Sequence, residues 1–480
     1  MRPSRLPWVL LAFPMLALAD GPGAVPITTS SSEARALYLQ ARDLNERLKA
    51  TEANQVATKA VQKDPNFATG WLLVAQTAGT AKGFFEGQAK AVALKDKTSE
   101  GERLFIVASE AGAQGRPAEQ RQALEQLVQK FPSDPRTHAA LGLYDFASQD
   151  WDGAIRELSK SSELDPNYTT PYNQLGYAYR FQGRYPEAER TFQKYAELLP
   201  DDPNPHDSYA ELLMRMGRFD DSIGQYRQAL KVDPHFQSAY IGIANNQIFQ
   251  GKGDDARKSL KEAMAKARND GEKRALLFWT SQTYAHEGKW ADAQKAVEDE
   301  KKIADASGDL VSASQDVNLI GNYALAAGKP ADAQARFDES LQLISKAKVS
   351  DEVKENAKRN NLFNVGRVAL KKGDLATARS ISEKYSAAVA VKKIPFEQWQ
   401  AHELAGMVAL QAKEYDTALK ELAQASNQNP RVIYLTGLAY QGKGDATKAA
   451  EYFKNTADWN QLTGLLPYVR NDARRQLGRS

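Results

Sequence analysis

Between Pro135 and Pro234 the small, apolar and proline positions return on one fixed spacing. Gly142, Gly176 and Ala210 lie 34 residues apart, as do Ala154, Ala188 and Ser222, and as do Pro132, Pro166, Pro200 and Pro234. Within one interval, Tyr172, Leu175, Gly176 and Tyr179 fall at i, i+3, i+4 and i+7, a single helical face. Gly183 then offers a left-handed cap. A second helix carries Ala188, Phe192, Tyr195, Ala196 and Leu199 along one side, and Pro200 stops it. Asp201-Asp202-Pro203 restarts the pattern, with an acidic N-cap and proline in the first turn. Gly176 and Ala188 lack bulk where two helices must approach closely. A period of this size with small residues at set offsets predicts a stacked array of helical hairpins.

Tyr172, Leu175-Gly176, Tyr179, Ala188, Phe192 and Pro200 resemble the tetratricopeptide repeat pattern position by position, and the resemblance covers nearly all of the mature chain. It implies an all-α fold, a right-handed superhelical solenoid of stacked antiparallel helix hairpins with a concave ligand-binding face. About eleven hairpins and a C-terminal capping helix are expected. The first unit runs from about Ala34 to Pro65. The second opens at Ala68 and is irregular around Gly83-Phe84-Phe85-Glu86-Gly87. The segment from Lys95 to Ile106 is similar to a linker in bacterial multi-repeat proteins of this family. Regular units start at Pro135, Thr169, Pro203 and Gln237. Beyond them the turn glycines Gly288, Gly328 and Gly373 are spaced 40 and 45 apart, so helices or loops lengthen near Lys301 to Ser314 and Lys346 to Arg359. The array is therefore read as a near-regular part, 34–267, and a longer-period part, 268–480. Trp459 to Arg475 is expected to cap the end, its outer face polar through Arg470, Asp472, Arg474 and Arg475.

The start of the chain follows another pattern. Arg2 and Arg5 precede an apolar run from Leu6 to Leu18, and Ala17-Leu18-Ala19 offers a small-x-small cleavage site, so 1–19 reads as a secretory signal peptide. Pro7 and Pro14 weaken the alternative, an ordinary first helix. Residues 20–33 (Gly21-Pro22-Gly23, Pro26, Ser30-Ser31-Ser32) show no pattern to bury and are expected to form a flexible leader. No later stretch is long and apolar enough to span a membrane. The absence of cysteine suits export without disulfide stapling. The expected location is exported, periplasmic or extracellular.

Composition narrows the function classes. A net charge of +3 lacks the basic footprint of a nucleic-acid-binding domain. His138, His206 and His402 occupy the repeat position that Tyr172 and Tyr240 fill elsewhere, so packing accounts for them; His235 sits in an inter-repeat junction. His286-Glu287 begins a zincin-like pair, but Trp290 stands where the second histidine would be. Gly437, Gly442 and Lys443 fit a phosphate-loop spacing, yet Gly444 replaces the magnesium-binding Ser or Thr, and the context is helix to turn. His206-Asp207-Ser208 has triad residue types without triad geometry. Trp151, Tyr185, Phe219, Trp290 and Tyr415 share one repeat position and read as core. Lys258 to Lys273 and Lys346 to Arg359 read as solvated helix faces. No catalytic residue, metal or cofactor is expected.

The resemblance implies that the first helix of each hairpin lines the groove. By position, the peptide-binding candidates are Asn173, Tyr177, Arg180 and Phe181, then Asp207, Glu211 and Arg215, then Asn245 and Phe249. Tyrosine and arginine are favoured as anchors, although an ordinary solvated face would look similar. The family's carboxylate clamp is not matched, because Ala139, Leu143, Gln174, Asn204 and Ser208 hold its positions. The expected function is a non-catalytic exported scaffold that binds a protein or peptide in its groove. The alternatives are a structural component of a cell-envelope assembly, using convex or end surfaces, and a hydrolase with an unrecognised site.

Overall fold

The computed structural model describes residues 23–479 apart from Leu48, Thr80, Ser350, Lys393 and Leu462. The expected signal peptide lies outside the described residues. Among the described residues there are no strands, and successive helices pair into twelve antiparallel hairpins. That is one more than the turn signals suggested. The second hairpin pairs Ala68–Gln76 with Ala81–Leu94. Gly87, which looks like a break in the sequence, lies within the continuous second helix. A Cβ there would sit 2.9 Å from the Ala75 backbone nitrogen, so the glycine lets the two helices touch.

The repeat spacing has a direct packing cause. A Cβ on Gly142 would meet Leu158 at 2.7 Å, on Gly176 Phe192 at 2.5 Å, and on Gly321 Phe337 at 2.6 Å. On Gly406 it would meet Leu422 at 2.7 Å, and on Gly437 Phe453 at 2.8 Å. In each pair the large residue lies sixteen positions on, in the second helix of the same hairpin. Ala188, Phe192 and Tyr195 are buried as the periodicity requires. The turns between paired helices need a left-handed residue. Gly183, Gly217 and Gly251 supply it at φ +73°, +77° and +77°, while Gln149 and Lys413 hold it at φ 59° and 62°.

The chain divides into two compact units, the first ending at Pro200 and the second beginning at Asp201. The change of period near Arg268 falls inside the second. It comes from longer helices: Asp270–His286 has 17 residues, Trp290–Ser307 has 18 and Asp351–Lys372 has 22. By contrast, Thr170–Phe181 has 12 and Tyr185–Leu198 has 14. Buried ion pairs tie the long hairpins together. Arg274 donates to both carboxylate oxygens of Asp316 at 2.8 and 2.9 Å, and Arg359 to those of Glu397 at 2.9 and 3.0 Å. Arg359 and Asn356 therefore face inward, correcting the reading of Lys346 to Arg359 as wholly solvated.

Two segments outside the hairpins differ from expectation. Residues 23–31 are an extended strap instead of a free leader. The Val25 N–H donates to Asp134 at 2.8 Å, the Thr28 N–H to Glu102 at 2.9 Å, and the Thr29 hydroxyl to Asp64 at 2.6 Å. Asp134 and Glu102 also cap the helices that begin at Pro135 and Glu100, so one carboxylate serves both chain segments. At the other end the α-helix is confined to Arg470–Gln476, preceded by a 3-10 turn at Leu466–Tyr468. It covers the last hairpin through Ala473, which packs with Phe453 and Ala457. Gly464 and Pro467 interrupt the expected helix, and 459–469 instead turns inward over the second unit.

Candidate functional site

In the first unit, Asn173 lines a cavity of about 490 Å³ closed on one side by Val25, Pro26 and Ile27. Its interior joins Leu72 and Phe105 to an ion pair in which Arg136 donates to Glu46 at 3.0 Å. Tyr177 packs edge-on against Phe192 with centroids 5.2 Å apart. Arg180 is buried, its guanidinium 4.7 Å from the Tyr177 ring and 5.1 Å from that of Phe181. Phe181 stacks on Trp151 at 4.6 Å, in the layer between hairpins. Arg180 and Phe181 are thus held largely by packing, not presented as open anchors.

In the second unit, Asp207 and Glu211 lie one turn apart. Burial, then the neighbouring Glu211 charge, pushes the Asp207 carboxyl well up from its usual range. Asn245 is buried and donates to the Ile241 carbonyl of its own helix at 2.9 Å. Phe249 is buried with Met214, Trp459 and Leu466. The Arg215 guanidinium lies 4.2 Å from the Trp459 ring, and that of Arg470 lies 4.4 Å from Phe249. Tyr468 stacks on Trp290 at 5.9 Å with the rings 2° from parallel. Segment 459–470 of the chain therefore covers Arg215 and Phe249. Trp459 supplies the apolar surface that seals them, an interaction no local periodicity announces.

The histidines behave as packing groups. His138 Nδ1 lies 2.8 Å from Glu157 Oε2, His206 Nδ1 2.9 Å from Gln225 Oε1, and His402 Nδ1 2.8 Å from Glu421 Oε2, each partner nineteen residues on. The Glu157 hydrogen bond raises the His138 pKa. Burial, with Arg470 adding repulsion, lowers that of His286 to about 3. Gly442 faces the Tyr415 ring, and Lys443 pairs with Asp416, so packing and a surface ion pair account for both. Among the described residues no group of His, Asp or Glu is arranged to hold a metal ion. Among them, too, no helix is long and apolar enough to cross a membrane.

A second cavity, about 530 Å³, opens on the inner side of the long hairpins of the second unit. The first helices Leu310–Ala326, Asp351–Lys372, Pro395–Gln411 and Pro430–Gly442 all contribute, and Gly464, Leu465 and Tyr468 close one wall. Six asparagines line it: Asn318, Asn322, Asn356, Asn360, Asn361 and Asn364. Gln315 and Gln400 bring the carboxamides to eight. Among the described residues, Arg367 and Arg431 are the charged ones that line it, with no Asp, Glu, Lys or His. The carboxamides are pre-oriented, since Asn322 donates to Asn318 Oδ1 at 3.0 Å and Asn360 to Asn356 Oδ1 at 2.9 Å. The side-chain oxygens of Asn360 and Asn361 are buried without a hydrogen-bond partner. Such acceptors are costly unless something donates to them.

The two arginines differ. Arg431 donates to the buried Glu403 carboxylate at 2.5 Å, whereas Arg367 donates to Asn322 Oδ1 at 2.7 Å and to no carboxylate. Both flank the Phe363 ring, at 5.5 and 5.6 Å. Burial first, and the Arg431 charge second, pull the Arg367 pKa down to about 9. At the mouth, Val353 is 42% and Phe396 58% exposed; both line the cavity, and Val391 and Ile394 are exposed beside Phe396 in the chain. Sequence reasoning missed this site. Its signal was the i, i+4 spacing of Asn318 with Asn322 and of Asn356 with Asn360 and Asn364.

Residues 145–212 and 213–277 match the family model described as tetratricopeptide repeat. Superkiller complex protein 3 of Mus musculus is 28% identical over 111 residues, 23% of this chain and 7% of the mouse protein. Hsp70-Hsp90 organizing protein 3 of Arabidopsis thaliana is 27% identical over 135 residues, 28% of this chain and 24% of that protein. The TPR repeat-containing protein YpiA of Bacillus subtilis is 29% identical over 115 residues, 24% of this chain and 27% of its own. The chain thus spans well under two thirds of each. Among solved structures, a tetratricopeptide repeat protein from Parabacteroides merdae aligns over 55% of this chain and 99% of that one, at 15% identity and a TM-score of 0.39. MamA aligns over 35% and 91%, at 22% identity and a TM-score of 0.32. With its hairpin geometry, the chain is a tetratricopeptide repeat protein. Repeats of this family mediate protein–protein interaction.

Proposed function

We propose that this protein is an exported, non-catalytic scaffold that binds a protein or peptide on the inner side of its second unit, in the carboxamide-lined cavity. The carrying observation is the combination of unsatisfied Asn360 and Asn361 acceptors with an exposed apolar lip at Val353 and Phe396. A peptide main chain offers N–H donors to such acceptors, and its side chains offer apolar surface to such a lip. Near Arg215 and Phe249 the chain's own C-terminal segment takes the ligand's place, which moves the site toward the longer hairpins. The sequence 1–19 supports export, and a mature N-terminus at Asp20 is the expected product of cleavage. The test is quantitative affinity capture from an envelope extract, comparing the full chain with Phe396→Asp. A partner depleted about tenfold or more by the substitution supports the cavity; equal capture contradicts it.

A further inference from the structure

We infer that the cavity of the second unit seats an acidic side chain of an extended peptide, its carboxylate on Arg367 and its main-chain N–H groups on Asn360 and Asn361. This rests on the peptide-binding reading above and specifies the ligand's chemistry. Among the described residues, the polar lining of the cavity is carboxamides, two serines, a tyrosine and two arginines, with no acid. Both buried carboxylates of Pro395–Gln411 have hydrogen-bond partners of their own, Glu397 through Arg359 and Asn356, and Glu403 through Arg431 and Asn429. Arg367 is left with one amide oxygen and the face of Phe363. A guanidinium offers five donors in a fork that matches a carboxylate, and a charge held away from water gains most from an opposite charge. Burial and the Arg431 charge lower the Arg367 pKa, and the Glu403 charge offsets this only in part.

Three features of the site then select one ligand. The arginine that donates to no carboxylate selects an anion, the two orphan oxygens select hydrogen-bond donors beside it, and Phe396 with Val353 selects an apolar neighbour at the mouth. An acidic peptide with an adjacent leucine-like residue satisfies all three. A uronic acid oligosaccharide supplies the anion and, through its hydroxyls, the donors, but no apolar side chain for the mouth.

The test screens the full chain against two libraries of N-acetylated heptapeptides, one C-terminally amidated and one with a free carboxylate, with an oligogalacturonate as a third probe. The expected result is Glu or Asp enriched at one position of the amidated library. Replacing that acid by its amide should weaken binding about tenfold or more. Arg367→Gln should abolish the preference for the acid, and Arg367→Lys should keep part of it, with unchanged thermal melting confirming that both variants fold. Binders without an acidic preference would overturn the inference and leave peptide binding standing. Selection confined to the free-carboxylate library would overturn the side-chain assignment. Oligogalacturonate binding lost in Arg367→Gln, with no peptide retained, would overturn both, as would equal peptide retention by Phe396→Asp.

Discussion

Gly176→Ala and Gly224→Ala make the same substitution in two helices and should move stability in opposite directions. Alanine is favoured over glycine in a helix interior by about 1 kcal/mol. At Gly224, in Phe219–Val232, a Cβ would meet nothing within 4 Å, so that gain should appear nearly whole. At Gly176 the Cβ would lie 2.5 and 2.6 Å from two Phe192 ring carbons, about 1 Å inside ordinary contact. Phe192 is 0% exposed and has no open side toward which to move. Overpacking of this kind costs roughly 1–3 kcal/mol. Less the propensity gain, Gly176→Ala should lose up to roughly 2 kcal/mol while Gly224→Ala gains about 0.5–1 kcal/mol. Urea unfolding followed by circular dichroism should rank the midpoints Gly176→Ala, wild type, Gly224→Ala. Phe192→Leu in the Gly176→Ala background should recover at least about 1 kcal/mol relative to the sum of the single changes. If Gly176→Ala matches or exceeds wild type, the close-approach explanation of the 34-residue pattern is wrong.

Two further outcomes follow from the second unit. Burial beside Asp316 raises the Glu300 pKa to about 8, so its protonated form favours the fold. That contribution is complete below the unfolded value near 4.5 and is lost as pH rises through 8. Thermal melts should therefore show stability falling from pH 6 to about 8 and levelling above that, and Glu300→Gln should flatten the falling part; an unchanged slope would show that Glu300 is ionised throughout. Trp459→Ala should lose roughly 3–5 kcal/mol by emptying the seal over Phe249. It should also increase protease cleavage within 459–470, and an unaltered cleavage pattern would place this segment elsewhere.

The hairpins were legible because each repeats a local requirement: a residue without a side chain facing Phe192, Phe337 or Leu158, and a left-handed turn residue between helices. Histidines 138, 206 and 402 were legible for the same reason, since the position asks for a polar-tipped ring. Tyr172 and Tyr240 meet it by donating to the Pro166 and Pro234 carbonyls at 3.0 and 3.2 Å. The strap at 23–31 was not, because its order comes from carboxylates 34 to 109 residues away and leaves no period of its own. Segment 459–469 was misread because its apolar residues resemble a helix face until Gly464 and Tyr468 are placed against Phe278 and Trp290. The cavity was hidden by composition: asparagine on a helix reads as solvated, and only the tertiary fold shows Asn360 and Asn361 turned away from water.

The inner-face account is tested most directly by a photo-crosslinking amino acid placed at Gln400, which lines the cavity, and at Lys302, exposed on the second helix of its hairpin. With an acidic peptide selected by the full chain, crosslinks should form from position 400 and not from 302, and Arg367→Gln should remove them. Equal yields from both positions, or crosslinks from 302 alone, would contradict recognition on the inner side of the second unit.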